Sequence, residues 1–130
     1  MDATLVEHLG ETANADAEFC LAARFWNAVL RFDMGDSGSF VLQVRDGRVV
    51  GSELLDDGAP RGDASTIAIT APAEDWGRLL SPLPPPFFHD LWAATKHHGF
   101  EVSGDLEGFS QYYPALGRLI DVLRVIVNDG

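Results

Sequence analysis

The 130-residue sequence is poor in cysteine, in basic side chains and in long apolar runs, and each shortage removes a class of function. Its single cysteine, Cys20, rules out an internal disulfide and leaves no CxxC pair to hold a metal, which points to a reducing compartment. Nine Lys and Arg stand against 20 Asp and Glu, a formal charge of −11. A surface of that sign repels nucleic-acid phosphates and anionic lipid headgroups, so neither DNA, RNA nor a membrane surface is an expected partner. No apolar stretch reaches the about 18 residues that a spanning helix needs. The opening Met1 to Glu7 carries no basic n-region and no apolar core of signal length. The expected location is the cytoplasm. Repeats, linkers and low-complexity tracts are also missing, except for Pro82-Leu83-Pro84-Pro85-Pro86, which reads as a rigid connector between helices.

What remains is a chain that can fold alone. Hydrophobic residues make up 46% and charged residues 22%, with eight Phe, two Tyr and three Trp, which excludes disorder on composition. The length suits one domain over residues 1–130, with residues 1–15 expected to be a loose N-terminus.

Apolar groups from Ala17 to Phe32 recur at helical spacing, with Phe19, Ala23, Trp26 and Leu30 on one stripe and Phe25, Val29 and Phe32 beside it. This predicts a first buried helix capped by Asp16. After the turn residues Gly35 to Gly38, Ser39 to Arg45 places Phe40, Leu42 and Val44 on one face, the alternation of a half-buried strand. Asp46-Gly47 supplies the positive-φ residues of a two-residue hairpin, and Arg48 to Leu55 returns as the second strand. A polar loop over Asp56 to Gly62 leads to a third strand, Ser65 to Thr70, and a three-stranded antiparallel meander is the expected arrangement.

Pro72 suits the first turn of a short helix whose apolar side is Trp76, Leu79 and Leu80, with Glu74 and Asp75 near its positive end. A third helix, Phe87 to His98, should end at Gly99. A strand from Phe100 to Ser103 closes in the turn Gly104-Asp105. A long last helix from Leu106 to Val127 then carries Phe109, Tyr112, Tyr113, Leu116, Leu119, Ile120, Leu123, Ile126 and Val127 on one wide face. That face is broader than the three or four apolar positions per two turns of an ordinary surface helix, which suggests a helix closing a greasy interior.

At this point the element order resembles a known family. The hairpin turning at Asp46-Gly47, the strand Thr66-Ile67-Ala68-Ile69-Thr70, the segment Ala73-Glu74-Asp75-Trp76-Gly77-Arg78-Leu79-Leu80, and the ending of helix, Gly104-Asp105 strand and C-terminal helix are similar to the sterol carrier protein type-2 (SCP-2-like) family. The likeness spans about residues 17 to 127. It implies an α+β fold whose five-stranded, mostly antiparallel sheet is covered by helices that enclose an apolar cavity for a lipid- or sterol-like molecule. No catalysis and no cofactor are implied. Apolar pockets with few polar groups are the usual small-molecule sites, and Phe87, Phe88, Leu91, Trp92, Phe100, Phe109, Tyr112, Leu116, Ile120 and Leu123 are the candidate ligand-binding residues. The competing role for each is plain core packing, which is what most aromatics at helical spacing do.

Other motifs point less far. Gly35-Asp36-Ser37-Gly38-Ser39 looks like the nucleophile string of trypsin-like proteases, but those need an upstream His and Asp brought in by two barrels, and only His8 precedes Ser37. His89, His97 and His98 lack an HExxH or a matching carboxylate spacing, so no metal is expected; they suit a helix C-terminus instead. Cys20 reads as core, and Tyr112-Tyr113-Pro114 as the start or kink of the last helix. The leading function is non-catalytic binding of a hydrophobic small molecule. The alternative is an accessory protein whose helical face binds a partner protein or a second copy.

Overall fold

The structure, a computed structural model, describes residues 2–56, 65–86, 88, 90–97 and 99–129, without the side chain of His97. Its elements follow in chain order: helix α1 Ala3–Ala15, helix α2 Ala17–Ala22, strand β1 Ala28–Asp33, a 3-10 turn at Gly35–Ser37, strand β2 Ser39–Arg45, strand β3 Arg48–Leu55, strand β4 Thr66–Thr70, helix α3 Ala73–Leu79, helix α4 Leu91–His97, strand β5 Glu101–Gly104, helix α5 Leu106–Gln111 and helix α6 Tyr113–Asp129. The strands form one sheet in the order β3-β2-β1-β4-β5. All neighbours are antiparallel except β1 and β4, so the α+β architecture with a mostly antiparallel sheet stands.

The hairpin is as expected. Asp46 and Gly47 have φ of 51° and 77°, and a side chain at Gly47 would also meet the Ala23 carbonyl at 2.7 Å, so glycine is required there twice over. Phe40, Leu42 and Val44 are buried on the inner face, opposite Leu30 and Phe32 of β1.

Four sequence expectations are corrected. The expected loose N-terminus is α1. Asp2 caps it, its Oδ1 accepting the Leu5 N–H at 2.8 Å, and Val6, Leu9, Gly10 and Ala13 are buried. Asn14 then pins the edge strand, its amide exchanging two 2.8 Å hydrogen bonds with the backbone of Val49 in β3.

The expected helix from Ala17 to Phe32 is a helix and a strand. Asp16 does cap α2, but the helix ends by Ala23, and Phe25 turns the chain with φ 71° and exposes its ring. Over Ala28–Asp33 the apolar pattern fits period 2 as well as 3.6, and strands β2 and β4 on either side supply backbone partners that an isolated helix would not need. With β1 inserted, β4 runs parallel to it, and the three-stranded meander gives way to a central β1. Gly104, at φ 91°, closes β5 where any side chain would strike the Thr66 carbonyl.

The expected helix Phe87 to His98 is described only as Leu91–His97. Phe87, His89 and His98 lie outside the described residues. The long last helix is broken at Tyr112 into α5 and α6, and Pro114 sits in the first turn of α6, where a missing N–H costs nothing. Asp105 caps α5 through the Gly108 N–H at 2.9 Å.

One hydrophobic cluster runs from α1 through the inner sheet face to α6. Among the described residues no helix is long and apolar enough to cross a membrane.

Candidate functional site

A cleft of about 650 Å³ opens where four elements meet. The start of α1 contributes Asp2 and Leu5, and the 3-10 turn contributes Met34 and Ser37. Helix α3 and the residues after it bring Ala73, Trp76, Gly77, Leu80, Ser81 and Pro82. The end of α6 brings Val127 and Asn128. The floor is apolar and rigid. Trp76 is buried, donates its indole N–H to the Asp33 carbonyl at 2.8 Å, and packs edge-on against Phe100 and Phe32, whose ring stacks on Phe40. Such aromatic contacts, with a satisfied polar handle, hold a ring in one orientation.

The rim is held by hydrogen bonds between helices. Arg124 of α6 donates from Nε and Nη2 to the Leu79 carbonyl at 3.0 and 2.7 Å, and Asn128 donates to the Leu80 carbonyl at 2.7 Å. These satisfy carbonyls left over at the C-terminus of α3, so one set of bonds both caps α3 and fastens α6 across the cleft.

Of the ten residues expected to bind ligand, none of the nine that the structure describes lines this cleft. Phe88, Leu91, Phe100, Phe109, Leu116, Ile120 and Leu123 are buried together in the core. Tyr112 is half-buried and stacks on Trp26 at 5.1 Å. Trp92, expected among the ligand-binding residues, is instead 53% exposed, with Lys96 over its ring; the short α4 turns it outward. Phe87 lies outside the described residues. Through its edge-on contact with Trp76, Phe100 is tied directly to the cleft floor.

The sequence reading had Trp76, Leu80 and Val127 on apolar helix faces without assigning them a pocket. It missed Leu5 and Met34. The signal for Leu5 was present: Asp2 as a cap, then Leu5, Val6, Leu9 and Ala13 at helical spacing.

A second, polar pocket of about 500 Å³ lies beside the first, lined by Arg31, Asp33, Ser39, Thr70 and Glu101 together with the backbone around Gly35, Pro72 and Gly99. Arg31 Nε donates to Asp33 Oδ1 at 2.8 Å, and the Thr70 hydroxyl donates to Oδ2 at 3.1 Å. Burial works to raise the Asp33 carboxyl, but hydrogen bonds from Arg31, Ser39 and Thr70 outweigh it and hold the carboxyl below its ordinary value. Both oxygens are engaged, and the bonds that favour the charged form make Asp33 a weaker base than a free carboxylate.

Ser37 lies in the 3-10 turn, and no histidine lines either pocket among the described residues. No trio of His, Cys, Asp or Glu able to hold a metal occurs among them either. Cys20 is half-buried, its Sγ 3.3 Å from the Asn14 carbonyl.

No protein-family model and no curated protein matches this sequence. Two solved structures do match in shape. One is sterol carrier protein 2, at 18% identity, TM-score 0.75, covering 93% of this chain and 94% of that one. The other is a conserved hypothetical protein of Thermus thermophilus, described as a candidate sterol carrier protein, at 17% identity, TM-score 0.75, covering 96% of this chain and 87% of that one. The fold is therefore SCP-2-like.

Proposed function

We propose that this protein is a non-catalytic binder of a lipid- or sterol-like hydrophobic molecule, taken up in the cleft between α1, α3 and α6. The observation that carries the reading is the cleft itself: Leu5, Met34, Trp76, Leu80 and Val127 converge on about 650 Å³, a size and lining that suit a small apolar ligand. Burial of the ligand's apolar surface, at about 25 cal/mol per Å², supplies the affinity. The shape likeness to sterol carrier protein 2 supports the same class of cargo. The engaged carboxylate of Asp33 favours carriage over chemistry.

Gly77 gives a clean test. It lines the cleft, and a Cβ built there meets nothing within 4 Å. Gly77→Phe should fill the cleft while α3 is strengthened, since replacing a helical glycine is favourable by up to about 1 kcal/mol. The expected outcome is loss of saturable binding of the uncharged probe N-phenylnaphthylamine with an unchanged or higher melting temperature. Undiminished binding in that variant would move the site elsewhere.

A further inference from the structure

The one charged side chain among the described residues that line the cleft is a carboxylate, and this bears on the head of the ligand. Among its described lining residues the only charged side chain is Asp2, and no Lys, Arg or His is present. Asp2 spends Oδ1 on the Leu5 N–H, which leaves Oδ2 without a protein partner. Asn128 spends its amide nitrogen on the carbonyls of Leu80 and Arg124, which leaves its side-chain oxygen as an acceptor.

The surrounding charge has the same sign. Asp36 adjoins Ser37, and Asp129 adjoins Asn128 at the C-terminal, partially negative end of the 17-residue α6. The positive end of α1 also faces this region, but the Asp2 carboxylate already sits on it. The guanidinium groups of α3 and of the end of α6 are engaged elsewhere: Arg78 pairs with Asp75 at 2.8 Å, and Arg124 is occupied by the Leu79 carbonyl and by Asp121 at 2.9 Å. A carboxylate or phosphate head placed here would meet negative charge and, for donors, only the neutral hydroxyls of Ser37 and Ser81, with no cation among the described lining residues to receive it. An ammonium head would find a carboxylate oxygen and an amide oxygen, each an acceptor for its N–H groups.

We propose that the cleft selects amphiphiles with a protonated amine head and discriminates against anionic ones. The inference rests on the binding reading above and names the chemistry of the ligand for that same site.

The test uses three ligands of equal chain length, decylamine, decanol and decanoate, each displacing N-phenylnaphthylamine from the full chain at neutral pH and low salt. Decylamine is expected to displace the probe at about fivefold lower concentration than decanol, and decanol at about fivefold lower than decanoate, the factor that one unit charge at about 4 Å in water supplies. Asp2→Asn keeps a good N-cap while removing the charge, so it should bring decylamine and decanol together, each displacement being measured against that variant's own probe affinity. Salt of about 1 M should do the same to the unmodified protein, because Asp2 is exposed. Equal displacement by all three ligands, or preference for decanoate, overturns the head-group inference and leaves the binding reading intact. A protein that never binds the probe overturns both. A decylamine preference that survives in Asp2→Asn and in high salt overturns the electrostatic assignment.

Discussion

The two ends of α6 are fastened by different chemistry. Near its start, Arg118 forks onto Asp16, the cap of α2, with Nε to Oδ1 at 3.0 Å and Nη2 to Oδ2 at 2.7 Å, and Glu18 stands 3.6 Å from Nε. The Arg118 side chain is 34% exposed, and when the pair parts both partners return to water. Near its end, Arg124 and Asn128 donate to backbone carbonyls of α3, and the Arg124 side chain is only 17% exposed. If that fastening is lost, carbonyls at the end of α3 lose their partners, and the wall of the cleft goes with them. An ion pair at the surface thus decides little beyond local order, whereas a cation spent on uncharged carbonyls holds both a helix end and a pocket.

Three perturbations test this contrast, the largest first. Leu116, in the first turn of α6 and 0% exposed, makes neither fastening. Leu116→Ala should cost about 2–5 kcal/mol in urea unfolding, the range for deleting a fully buried leucine, and should leave the probe affinity of the folded fraction unchanged. Arg124→Met keeps the stem but removes the donors; it should cost about 1.5–3 kcal/mol, the range for hydrogen bonds to a charged group, and should weaken probe binding as well. Unaltered binding in Arg124→Met would show that the α3 end is held without it.

Asp16→Asn is the mildest. Asparagine still caps α2, so the expected loss is under about 1 kcal/mol, with probe binding untouched. Acid should mimic it. The hydrogen bond from Arg118, aided by the Phe19 N–H, lowers the Asp16 carboxyl from 3.8 to about 2. A carboxyl depressed on folding adds stability above its unfolded value, and that contribution fades as pH falls from about 4 toward about 2. The melting temperatures of the parent and of Asp16→Asn should therefore converge across that interval, and a gap that persists at its acid end would show that the Asp16 charge is not what stabilises.

How much of this was legible in the sequence follows from how local each signal is. Asp46-Gly47 and the alternation of Phe40, Leu42 and Val44 carry their own geometry, and β2, β3 and their turn fall where the residues place them. Strand β1 does not. Ala28 to Asp33 is a strand because β2 and β4 flank it, and partners 37 residues away, such as Thr70 for Asp33, are invisible to a local window. The same distance dependence hid the cleft. Phe109, Leu116, Leu119, Ile120, Leu123 and Ile126 of the wide apolar face are buried as core packing, and the open volume lies where the exposed Val127 leaves the core beside Leu5 and Leu80. Leu5 could be expected there only once α1 was known to lie against α6.

The packing of α6 against both α1 and α2 sets the order in which this chain can become compact during its synthesis. A ribosome adding about 5–20 residues per second finishes α1 on the order of ten seconds before α6 begins to emerge. Through that interval Val6, Leu9 and Phe19 can have the sheet beside them but not α6, so part of their final cover is missing. The core is consequently incomplete until the last helix is made. A stall or truncation before Tyr113 would leave the first helices as a substrate for chaperones and proteases.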